Sequence, residues 1–82
     1  MMRIKIIFFA QLRDLFGSDS KEIDVEDGAT IIEVVSSILS ESNAEKARAL
    51  PLRFAVNECF EEGGRNLEDG DVLAVMTPMA GG

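Results

Sequence analysis

The chain has 82 residues, 46% of them hydrophobic and 28% charged, the balance of one globular domain that buries about 60% of the surface its unfolded form exposes. Fifteen acidic residues against eight basic ones give a net charge of −7, which repels phosphate backbones and argues against nucleic acid as a partner. One cysteine and no histidine exclude an internal disulfide, a histidine-based triad and an imidazole metal site, and no apolar run approaches the roughly 20 residues of a membrane span.

Arg3 to Phe9 alternates, with Ile4, Ile6 and Phe8 on one face and Arg3, Lys5, Ile7 and Phe9 on the other, so it reads as a half-buried strand. The basic-then-apolar start is too short for a signal peptide and reaches Gln11 and Arg13 without a small-residue cleavage site, so a cytoplasmic location is expected. Ala10 to Phe16 places Leu12, Leu15 and Phe16 at helical spacing, and Gly17 can end that turn. Lys21 to Val25 alternates again and runs into the turn residues Glu26-Asp27-Gly28, giving a second strand antiparallel to the first.

Thr30 followed by Glu33 is a capping box, in which each residue satisfies a backbone N–H of the other at a helix start. Beyond it Ile31, Val34, Val35, Ile38 and Leu39 form one apolar stripe that has to be buried against a sheet. Ser42-Asn43 can close this helix, and 44–50 reads as a loose helical turn before Pro51. Arg53 to Val56 is a third strand and Asn57-Glu58 a tight turn into Cys59-Phe60. In that apolar setting Cys59 is expected to act as a small hydrophobe. A persulfide relay would need a neighbouring cation to lower the thiol pKa, and the near sequence has none.

Glu61 to Gly64 reads as a loop, and its Gly-Gly pair lacks the helix, lysine and hydroxyl of a phosphate cradle. Leu67-Glu68-Asp69-Gly70-Asp71 is an Asp-Gly turn leading to a last strand, Val72 to Thr77, with Leu73 and Val75 opposed to Val72, Ala74 and Met76. Pro78 cannot donate to a ladder and should end the sheet, which divides the chain into a domain over 1–77 and a tail over 78–82. Strands with one long amphipathic helix across one face describe an α+β roll with a mixed sheet of four to five strands.

Three stretches carry a family resemblance over nearly the whole chain: Phe8-Phe9-Ala10-Gln11-Leu12-Arg13-Asp14-Leu15-Phe16-Gly17, Val56-Asn57, and Leu67-Glu68-Asp69-Gly70-Asp71-Val72 leading to the Pro-x-x-Gly-Gly end. In order and spacing they resemble the small subunit of molybdopterin synthase, within the ubiquitin-like β-grasp sulfur carriers. Thr77-Pro78 stands where that family commonly has two prolines.

The resemblance implies a carrier with no catalytic residues of its own and no permanently bound cofactor. Its reactive group would be the α-carboxylate of Gly82, with Gly81 giving access to narrow sites. A ubiquitin-activating-like partner would use ATP to make an acyl-adenylate, sulfur would replace AMP, and the thiocarboxylate would serve a cyclic pyranopterin phosphate in the large synthase subunit, in a heterotetramer. Two alternatives use the same carboxylate: a ubiquitin-like modifier joined to target lysines, and a sulfur donor for thiamine or another small molecule. Ile7, Phe9, Phe60 and Met76, on the sheet face away from the helix, together with Pro78, Met79 and Ala80 of the tail, are the expected partner-binding residues.

Overall fold

In the computed structural model the described residues are 1–9, 11–41 and 51–77. They form β1 (Met2–Phe8), α1 (Gln11–Phe16), β2 (Ser20–Val25), α2 (Ile31–Glu41), β3 (Arg53–Val56), β4 (Cys59–Glu61) and β5 (Val72–Met76). The sheet order is β2-β1-β5-β3-β4. β1 pairs antiparallel with β2 and parallel with β5, and β3 pairs antiparallel with both β5 and β4. The sequence predicts the element types; the closing assignments over 42–50, together with Ala10 and the tail, lie outside the described residues.

The alternation in β1 works as read: Ile4, Ile6 and Phe8 are buried, while Arg3 and Lys5 face water. The five stripe residues of α2 are all buried and meet Ile4, Ile6, Leu73, Val75 and Val56 in one core. Each such side chain contributes about 1.5–3 kcal/mol of transfer free energy, so the helix is held by its packed face far more than by its propensity. Leu73 sits fully buried at the centre of the sheet. Leu73→Ala should therefore cost about 2–5 kcal/mol, read as a lowered denaturant midpoint at unchanged slope. A loss below about 1 kcal/mol would show that the core is centred elsewhere.

The first turn of α2 is secured twice. The Thr30 N–H and hydroxyl both donate to Glu33 Oε1, at 2.8 and 3.1 Å, and the Glu33 N–H donates back to Thr30 Oγ1 at 3.3 Å. The 62–66 loop supplies further acceptors, since Ile31 N–H donates to Arg65 O and Ile32 N–H to Gly63 O. A Cβ at Gly63 would stand 3.3 Å from Ile32 Cβ, so this glycine serves close backbone approach. The backbone bond from Thr30, then its hydroxyl, holds the Glu33 carboxyl below its usual pKa. A carboxyl with a lowered folded pKa adds stability that is present above the ordinary carboxylate range and is lost as pH falls through the lowered value. Accordingly, the gap between the thermal midpoints of wild type and Glu33→Gln should be full at about pH 7 and shrink steadily as the pH falls below the ordinary carboxylate range; a constant gap would remove this linkage.

Two exposed side chains stand out, and the second differs from expectation. Leu12 is fully buried and Phe16 stacks on Phe8 with centroids 4.2 Å apart, but Leu15 remains 37% exposed because a six-residue helix can turn only one narrow face inward. Cys59 is exposed rather than a buried small hydrophobe, because it begins β4, a strand at one edge of the sheet. Both sheet edges are blunted: β4 has three residues, and β2 carries Lys21, Glu22 and Asp24.

Candidate functional site

The sheet face away from α2 holds one apolar trough. Across it runs a register row of Ile7, Ala74, Ala55 and Phe60, contributed in turn by β1, β5, β3 and β4. The two alanines are small enough to form a floor between the larger side chains, and Phe9 and Met76 line the same hollow. Phe60 is 66% exposed and Phe9 46%, a cost in water that grouped apolar side chains normally recover in an interface. The Arg53 guanidinium lies over the Phe60 ring, 5.1 Å from its centroid, and restrains it with a contact worth about 0.5–1 kcal/mol at an exposed site.

The structure thus brings Ile7, Phe9, Phe60 and Met76 together, as the alternation of the strands predicts. Pro78, Met79, Ala80, Gly81 and Gly82 lie outside the described residues. Their starting point is nonetheless defined, because β5 runs parallel to β1 and ends beside Phe9, whose N–H donates to Val75 O at 3.2 Å. The last described residue, Thr77, therefore follows Met76 at the Phe9 end of the trough.

Sequence reasoning missed the opposite end, where Asn57 and Glu58 line the trough beside Val72. Asn57 Nδ2 donates to Asp71 Oδ1 at 2.9 Å, and Asn57 Oδ1 accepts from Val72 N–H at 3.0 Å. Asp71, only 8% exposed, also accepts the Glu68 N–H on Oδ2 at 2.8 Å, so both carboxylate oxygens are satisfied. The signal available in advance was an Asn at a tight turn and an Asp directly before a strand, each of which also suits an ordinary loop.

A second hollow, bordered by Met1, Asp24, Glu26, Asp27 and Glu33, is acidic and open. Among the described residues no three His, Cys, Asp or Glu side chains are grouped to hold a metal ion. None of the described helices is long and apolar enough to cross a membrane.

A mixed five-stranded sheet with its first and last strands parallel at the centre and one main helix across one face is the ubiquitin-like β-grasp fold. The ThiS family model matches residues 6–82, and the chain belongs to that family of β-grasp sulfur carriers. It is similar to the molybdopterin synthase sulfur carrier subunit of Escherichia coli (strain K12), with 33% identity over 82 residues, 96% of this chain and 99% of that one. Small archaeal modifier protein 1 of H. volcanii has the same fold at a TM-score of 0.85 and 21% identity, covering 96% of this chain and 100% of that one. So does a chain in the complex of subunits 1 and 2 of the molybdopterin-converting factor from Helicobacter pylori 26695, at a TM-score of 0.68 and 23% identity, covering 99% and 100%.

Proposed function

We propose that this chain is the sulfur carrier of molybdopterin synthase. The observation that carries the reading is the 33% identity, over nearly the full length of both chains, to a protein of that name. The exposed trough at the point where β5 ends supports it, because a carrier has to dock by its folded domain while its tail reaches elsewhere.

In this reading the carboxylate of Gly82 attacks the α-phosphorus of ATP on an activating enzyme, forming an acyl-adenylate and releasing pyrophosphate. Sulfide-level sulfur then attacks the acyl carbon and displaces AMP, leaving a thiocarboxylate. In the large synthase subunit the terminal sulfur attacks a cyclic pyranopterin phosphate to form a thioester-linked intermediate, and water then cleaves the acyl–sulfur bond, leaving the sulfur on the pterin and regenerating the carboxylate. The partners supply the catalytic groups, the ATP site and the pterin site; this chain supplies the sulfur, the glycine-width end and the docking face formed by Ile7, Phe9, Phe60 and Met76. In the same reading Pro78, Met79 and Ala80, which precede Gly81 and Gly82 in sequence, add to the partner-binding residues.

Intact-mass measurement of protein from its own cells tests the carrier step, by looking for one oxygen replaced by sulfur at the terminus. Recovery mainly as isopeptide conjugates to lysines would instead establish a modifier. Co-purification with a thiazole-forming enzyme in place of a large synthase subunit would point to thiamine.

A further inference from the structure

The trough has two unequal walls. One, made of Ile7, Phe9 and Met76, is carried by β1, the residue that follows it and β5, in the middle of the sheet. The other depends on Phe60, which stands on a three-residue edge strand joined to β3 by a two-residue turn. So short a hairpin is marginal unless something else holds it. Asn57 (φ 50°) and Glu58 (φ 71°) are both left-handed, as a type I′ hairpin requires. Glycine would meet that backbone demand at least cost, so the turn alone does not explain the side chain at position 57.

The side chain ties the hairpin to the fixed part of the sheet. Besides its two side-chain bonds to Asp71 and Val72, Asn57 donates its own N–H to Val72 O at 2.9 Å. Asp71 in turn accepts the Lys5 N–H on its backbone oxygen at 3.1 Å, which joins the assembly to β1. A buried carboxylate is tolerable only when fully hydrogen-bonded, and hydrogen bonds, unlike apolar contacts, fix direction as well as distance. The bonds therefore set the angle at which β4 leaves the sheet, and with it the place of the Phe60 ring.

We infer that Asn57 and Asp71 are positioning residues for partner docking, acting through Phe60 by locking the β3–β4 hairpin against the start of β5. The inference rests on the docking face proposed above. It also gives a purpose to Val56-Asn57 and to the Leu67–Val72 segment, two stretches that the sulfur chemistry leaves unused.

A double-mutant cycle tests it, with affinity for the purified large synthase subunit of the same organism measured by titration calorimetry. Asn57→Gly keeps the left-handed turn and removes only the side-chain bonds. It should weaken binding about tenfold while the far-UV spectrum and the cooperativity of unfolding stay unchanged. In a Phe60→Ala background the same change should matter by less than about twofold, whereas in a Phe9→Ala background it should still cost about tenfold. Asp71→Asn, with one acceptor fewer, should repeat the pattern; if that variant fails to fold, the Asn57 cycle decides alone. Equal losses in both backgrounds, losses abolished in both, or no loss from Asn57→Gly would each overturn the positioning role. If Phe9→Ala and Phe60→Ala both bind as wild type does, the docking face itself is wrong and the inference falls with it. If they bind weakly while Asn57→Gly binds normally, only the positioning role is lost.

Discussion

A chain lengthened by one residue beyond Gly82 should fold as before and fail to carry sulfur. The described core contains nothing beyond Val75, so neither packing nor sheet registry senses a change at the far end of the tail. The added residue moves the terminal carboxylate by up to about 3.3–3.6 Å, and even a 1 Å misplacement of a reacting group can cost about a hundredfold. If the residue is not glycine, it also brings a Cβ into a path suited to two glycines. Thiocarboxylate formation, monitored by mass spectrometry after incubation with the activating enzyme, ATP and a sulfur donor, should fall by at least about 1,000-fold. The thermal midpoint should move by no more than about 1 °C. Sulfur loading of the extended chain at the ordinary rate would remove Gly82 from the chemistry.

The second large effect is expected at the docking face. Phe9→Asp should lower affinity for the large synthase subunit by about a hundredfold or more, because association would bury a carboxylate with no partner, at a cost of several kcal/mol. Phe9 is nearly half exposed and holds its place by a backbone bond to Val75 O, which the substitution leaves intact. Folding should therefore survive, and Met76→Asp should act in the same direction. Normal binding by a well-folded Phe9→Asp protein would exclude this face from docking.

The local and periodic part of the fold is legible in the sequence. Thr30 and Glu33 announce the helix start because a capping box is complete within four residues, and the α2 stripe comes from one period. Strand alternation alone places Ile7, Phe9 and Met76 on the face away from the helix. Residues whose roles depend on strand order are harder to read. Ala55 and Ala74 become the floor of the trough only because β5 lies between β1 and β3. Asp71 is buried only because Asn57, 14 positions earlier, turns back onto it. Cys59 misleads for a related reason: its neighbours are apolar, but an edge position decides exposure more strongly than neighbours in sequence do.

The parallel pairing of β1 and β5 has a mechanical consequence. The strand that leads to the tail is the middle strand of the sheet, bonded on one side to β1 and on the other to β3. Tension applied at Thr77 while the domain is gripped by its face would pull β5 along its own axis. The rungs on both sides would then be strained together rather than one after another, as they would be if an edge strand were peeled away. Load entering the domain at Thr77 is therefore shared across both ladders of β5, which lets the sheet resist it without losing its shape.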